Sequence, residues 1–343
     1  MVIPPEDIKY LLASSFLEDS SIGLANGKMG GCIFFFYLSR TYPAFHYRKT
    51  AEELLGQVYE NISNIRSIDL KNGLSGIRSG ISYLINQKYI TGNPHEIFKD
   101  VDDTIFRHLC SEKYNKDIPP PILIEVLFYL YSRFLEPSNK EEEYLLRELT
   151  IHTINHSFER TTALPLFFEE PLHYNIEYKL PLFLFAIGNI ARVGFYNARI
   201  KKILEELSPK ILSTVPILHA NKLYLWAAMQ SINEAIKIDG WTKHIALLQR
   251  ETKFDVLFHK EMKNKNIYFN TGLGSILWLL ECLKNSIPEE KRRIYRTLIA
   301  RQIESSDIWT IYKQPGYINQ YKGLYDGITG AILTWVKVKT YQI

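Results

Sequence analysis

Apolar residues gather along this chain in seven dense runs, separated by stretches where they recur only at every third or fourth position. The runs are Cys32 to Leu38, Ile81 to Ile85, Pro121 to Leu130, Leu180 to Ile187, Leu223 to Met229, Ser275 to Leu280 and Ala331 to Val336. A helix that is apolar on nearly all sides has to be buried on most of them, so the runs predict seven inner helices. The stretches between them carry a single apolar stripe, as in Ala51, Leu54, Leu55, Val58 and Ile62, and predict an outer layer of amphipathic helices. Further outer helices are expected over Pro94 to Leu109, Lys140 to Phe158, Asn197 to Leu207, Gly240 to Met262 and Pro288 to Ile303, proline being tolerated in a first turn.

Four of the inner runs follow a glycine-rich segment. These are Gly23-Leu-Ala-Asn-Gly27-Lys-Met-Gly30-Gly31, Gly73-Leu-Ser-Gly76-Ile-Arg-Ser-Gly80, Thr271-Gly272-Leu-Gly274 and Gly323-Leu-Tyr-Asp-Gly327-Ile-Thr-Gly330. Gly73 lies 50 residues after Gly23, and Gly323 lies 51 after Gly272. A period of this size marks a repeat architecture. The three central runs keep the helix and lose the glycines. Together they predict an all-α chain, a single domain over residues 1–343, arranged as an α/α toroid: a double ring of about six to seven helix pairs. Glycines at the crowded start of each inner helix are expected to permit positive φ and close backbone approach.

Composition narrows the function classes. The 41 Lys and Arg against 37 Asp and Glu leave +4, without a basic cluster, so no nucleic-acid partner is expected. No run approaches ~20 apolar residues and the N-terminus lacks a signal pattern, which predicts no membrane span and a cytoplasmic location. Cys32, Cys110 and Cys282 are odd in number and widely spaced, and read as reduced thiols.

The repeated Gly-Leu-x-x-Gly-x-x-Gly before an apolar helix, over approximately residues 20–340, resembles the lanthionine synthetase C-like family, the cyclases of lanthipeptide biosynthesis. The resemblance implies an α/α toroid with a zinc ion at one end of its cavity. That zinc activates a peptide thiol for addition to a dehydrated serine or threonine. Its family ligands are a cysteine before the fifth inner helix and an adjacent Cys-His pair before the sixth. Aligned on Gly274, this chain has Phe269 and Asn270 at the pair and Thr271 at the following glycine. Before the fifth helix stands His219-Ala220-Asn221-Lys222, without a cysteine. The expectation is therefore no zinc or other cofactor, and a degenerate cyclase that binds or presents a peptide, alone or with peptide-modifying enzymes. The family's proton-transfer histidine aligns through Pro181 on Ile176, which leaves His173, one turn away, as the candidate catalytic group. Helix N-termini converging on one end of the ring would give a partly positive mouth lined by His219, Asn221, Phe269, Asn270, Tyr325 and Asp326.

Other constellations point elsewhere. A toroid enzyme acting on carbohydrate, as a glycosidase or epimerase, would use cavity carboxylates, and Glu169, Glu170 and Asp326 stand near inner-helix starts. Asp326 also reads as a helix N-cap. His152 and His156 have metal-compatible spacing, yet with Leu145 and Leu149 they read as a packing stripe. Asp100, Asp102 and Asp103 read as a charge cluster on the polar side of the second outer helix.

Overall fold

In the computed structural model, which describes residues 6–43, 46–111, 118–137, 139–264, 266–314 and 316–340, every apolar run is helical. No strand occurs among the described residues. The longer helices among the described residues are α1 (Glu6–Leu17), α2 (Lys28–Thr41), α3 (Tyr47–Asn61), α4 (Leu74–Asn86), α5 (Pro94–Cys110), α6 (Pro120–Phe134), α7 (Lys140–Thr162), α8 (Lys179–Arg192), α9 (Asn197–Ser213), α10 (His219–Ala235), α11 (Trp241–Glu251), α12 (Leu273–Cys282), α13 (Glu289–Glu304) and α14 (Ile328–Thr340). None is long and apolar enough to cross a membrane. The outer helix expected over Gly240 to Met262 is interrupted: α11 ends at Glu251, and the chain resumes as a short turn, Phe254–Val256, that runs into a π-helical turn, Leu257–Glu261.

The chain groups into two compact units. Unit 1 comprises Met1–Asn115, Ile267–Phe269 and Ile299–Ile343; unit 2 comprises Lys116–Asn266 and Asn270–Leu298. In unit 1, α2 packs against α3, α4 and α14, so the first and last apolar helices are neighbours, and α1 covers α2. In unit 2, α6, α8, α10 and α12 pack in succession, with α7 against α6 and α11 against α10. Burial follows the pattern of the runs. In α8, Leu180, Pro181 and every residue from Phe183 to Ala191 are buried, whereas α3 buries only Tyr47, Ala51, Leu54, Leu55 and Val58. Each fully buried large apolar side chain contributes about 1.5–3 kcal/mol.

Two expectations about polar residues are corrected. Asp102 is buried, not solvated: its Oδ1 accepts from Nε of the fully buried Arg78 at 3.2 Å. Arg78 also bonds Ser82 and lies over the Phe98 ring, so α5 supplies a counter-charge and an aromatic wall to a cation on α4. On α7, the buried stripe runs through Leu146, Leu149, Thr150, Thr153, Ser157 and Phe158. Leu145 and His152 face outward instead, and the His152 and His156 rings stack on one another at 5.5 Å. Burial and the nearby Arg160 and His152 lower the pKa of His156.

The glycine segments share one piece of geometry. The first amides of a helix have no intrahelical acceptor. Here they donate to the carbonyl seven residues back: Lys28 N to Ser21 O at 3.0 Å, Leu74 N to Ser67 O at 2.9 Å, Leu273 N to Asn266 O at 2.9 Å and Thr329 N to Lys322 O at 3.3 Å. The closure is so tight that a Cβ at Gly76 or Gly330 would collide with the carbonyl oxygen of Leu70 or Leu324. Positive φ is not the reason for these glycines. Gly27 and Gly73 have φ of −106° and −95°, within reach of any residue; what they lack is space. The closures also fix the register. Gly272 corresponds to Gly27 and Gly73, and Ser275 to Gly30 and Gly76, so the alignment on Gly274 is displaced by one residue.

Gly76→Ala is expected to lower unfolding free energy by about 1–3 kcal/mol in urea titrations, through forced displacement of the loop. Gly56→Ala, mid-helix in α3 with nothing within 4 Å of the added Cβ, should instead raise it by about 0.5–1 kcal/mol. Asp102→Asn, which removes one charge partner of the buried Arg78, should lower the unfolding free energy in the same titration, by up to about 3–5 kcal/mol.

Candidate functional site

Helix α10 begins at His219 with no side-chain cap from its own N-cap residue. Two carboxylates from elsewhere in unit 2 satisfy its end. Glu170 accepts from the Ile217 and Leu218 amides, the latter at 2.8 Å, and from Asn221 Nδ2 at 2.9 Å. Glu261, at the end of the π turn, accepts from the His219 and Ala220 amides at 2.7 and 2.9 Å. Negative charge at a helix N-terminus meets both the orphan N–H groups and the positive end of the dipole. Glu170 thereby ties the loop after α7 to the start of α10.

The loop after α7 lies beside this helix start. Tyr174 OH bonds Ser275 Oγ at 2.8 Å, Tyr224 OH donates to Ile176 O at 2.8 Å, and Ile176 N donates to Asn270 O at 2.9 Å. Ser275, which replaces the second glycine of the other loops, thus gives α12 a polar tie to that loop. Together these segments enclose a cavity of about 530 Å³ lined by Leu172, His173, Tyr174, Leu218, Met262, Thr271 and the Lys260 to Lys263 segment. Leu172 is 91% exposed, and Ile217, next to Leu218, is 83% exposed.

The candidate residues separate by unit. In unit 2, His173 lines the cavity, while Asn270 is buried and bridges two loops through its carbonyl. Asn221 does not line a mouth, as had been expected. It lies in the first turn of α10, fully buried, with Oδ1 unpaired. His219 Nδ1 accepts from the Lys253 amide at 3.1 Å. Burial, with Lys222 nearby, lowers the pKa of His219, so near neutral pH the ring is uncharged and carries its proton on Nε2. Its Nδ1 lone pair is thereby engaged.

In unit 1, Phe269 and Tyr325 approach at 5.9 Å, with Lys71 Nζ 5.6 Å from the Tyr325 ring centre. Tyr325 N donates to Ala25 O, and Ala25 N to Lys71 O, so equivalent positions of three loops are joined. Asp326 lies two residues ahead of α14. It exchanges hydrogen bonds with Asn26, its amide donating to Asn26 Oδ1 and its carboxylate accepting from Asn26 Nδ2.

The thiols stand apart from these features. Cys32 is buried against Ala51 O, and burial raises its pKa; Cys110 and Cys282 are exposed, and none of the three is in a disulfide. No group of three His, Cys, Asp or Glu among the described residues is arranged to hold a metal. The sequence pattern missed Lys260 and Glu261 because they fall within an outer helix expected to run unbroken to Met262, and Lys263 because it lies just beyond that helix. No glycine or proline at Thr252-Lys253 marks the break.

No model of a known protein family matches the chain. No characterised protein is significantly similar to it in sequence.

Glu261→Gln keeps the shape of the side chain, but turns one acceptor of the α10 amides into a donor. Loss of one of these bonds, and of the charge that strengthens the other, should cost about 1.5–3 kcal/mol in urea unfolding, and unchanged stability would contradict the capping role.

Proposed function

We propose that the chain is a divergent relative of the lanthionine synthetase C-like proteins, its helix pairs closed into an α/α toroid, and that it binds a peptide segment without zinc chemistry. The observation that carries this reading is the common loop closure at four helix starts, together with the adjacency of α14 and α2. A repeat whose last copy packs on its first is what a ring requires.

Carried through the register of the loops, the family's adjacent Cys-His pair falls on Asn270 and Thr271. Counting back from the start of α10 in the same way, the earlier cysteine falls on Pro216. An amide, a hydroxyl and a proline supply neither thiolate nor imidazole, and His219 Nδ1 is already engaged. These residues do not fit a zinc ion.

The cavity in unit 2 suits a peptide of particular chemistry. Its walls combine Leu172, Leu218 and Met262 with Lys260, Lys263 and His173, while its carboxylate, Glu261, is consumed by backbone amides. An extended segment alternating apolar and acidic side chains complements both features. The carbohydrate alternative draws less support from Glu170, one of its three candidate carboxylates, since that side chain is held by three donors.

Metal analysis of purified protein is expected to find no stoichiometric zinc; one tightly bound equivalent per chain would overturn the zinc-free reading. In fluorescence anisotropy, a labelled peptide alternating leucine and glutamate should bind about tenfold or more tightly than its leucine-lysine counterpart. The Lys260→Glu, Lys263→Glu double variant should reverse that order. Equal binding of both peptides by the native chain would contradict the assignment.

A further inference from the structure

The interruption after α11 borders a second cavity in unit 2. Thr252 turns its hydroxyl back to Leu248 O at 2.7 Å, the chain leaves the helix, and it resumes at Phe254 on the way into the π turn. π-helical turns concentrate at functional sites, because the extra residue redirects side chains at the expense of regular hydrogen bonding.

The cavity measures about 230 Å³, and its lining includes Trp226, Thr252, Phe254, Ser286, Lys291 and Tyr295. Trp226 is 1% exposed and its indole Nε1–H has no acceptor. A buried donor left in that state costs about 1–3 kcal/mol, so a group that accepts its proton is favoured there. Lys291 supplies the one formal charge among the lining residues, which include no carboxylate. Phe254 and Tyr295, which both line the cavity, stack on each other at 4.3 Å with their planes 18° apart and make its aromatic side. The volume is below that of a drug-sized pocket, which limits the occupant to a small molecule or a single side-chain-sized group.

We propose that this cavity binds a small planar carboxylate. Its oxygens would accept from Trp226 Nε1–H and the Lys291 ammonium, and its ring would lie among Phe254, Tyr295 and Ile287. An acceptor answers the buried indole, a negative charge answers the lysine, and a flat ring answers the aromatic side. None of these residues lines the peptide cavity, so occupancy here is independent of the peptide reading.

Calorimetric titration of the full chain with benzoate tests the site, with benzamide as the uncharged comparison. Benzoate is expected to bind saturably at one site per chain, about tenfold or more tightly than benzamide. Trp226→Phe and Lys291→Gln should each weaken benzoate about tenfold, the effect of one lost hydrogen bond. Lys291 is exposed, so its variant keeps the test valid if Trp226→Phe does not fold. Absence of saturable benzoate binding, equal affinity for benzamide, or native affinity in the Lys291→Gln chain would overturn the proposal.

Discussion

The first amides of an α-helix must find acceptors outside the helix, and in this chain four buried helices find theirs in the loop that feeds them. Lys28, Leu74, Leu273 and Thr329 each reach back seven residues to a carbonyl of their own approach segment. Folding the loop so closely over the helix start removes the room for a Cβ, and the glycines follow from that. The same closure presents the outer edge of each loop to its neighbour. Gly23 comes against Asn72 and Gly323 against Asn26, while Ala25 joins Lys71 and Tyr325 through its amide and carbonyl. One local requirement thus fixes the helix entry, the glycine pattern and the side-by-side stacking of loops in unit 1.

Where the glycines are lost, the orphan amides are satisfied differently. Helix α10 is held by Glu170 from the loop after α7 and by Glu261 from the π turn. These carboxylates do for α10 what backbone carbonyls do for α2, α4, α12 and α14, and in doing so they draw two distant segments together. The cavity lined by His173 and Lys260 lies between those segments. Its polar character is then set by what capping leaves over: the acidic groups are engaged by amides, and the lysines remain at the rim. The proposed peptide preference rests on that residue of charge rather than on any retained catalytic group.

Helix content and burial were legible in the sequence because they depend on period and composition. The runs at Leu180 to Ile187 and Leu223 to Met229 are apolar all round and, Leu182 apart, are buried all round. Register and partners were less legible. The second glycine position before α12 is filled by Ser275, and the neighbouring Gly274 captured the alignment, although only Gly272 completes the closure. Asp102 looks solvated within Asp100-Val-Asp102-Asp103, because its charge partner Arg78 lies a helix away and inside an apolar run. The break at Thr252 carries no glycine or proline, since it is imposed by tertiary contacts of Lys253 with His219 and of Glu261 with α10. Those contacts are invisible to periodicity, and they set both cavities.

Amide hydrogen exchange at Lys28, Leu74, Leu273 and Thr329 tests the common closure most directly. First-turn amides without acceptors exchange near the rate of unstructured peptide. The seven-residue closure predicts slowing by about a hundredfold or more at all four positions, comparable to amides deeper in the same helices. Exchange at the unstructured rate at these positions, with the helix interiors still protected, would contradict the constraint on which the account depends.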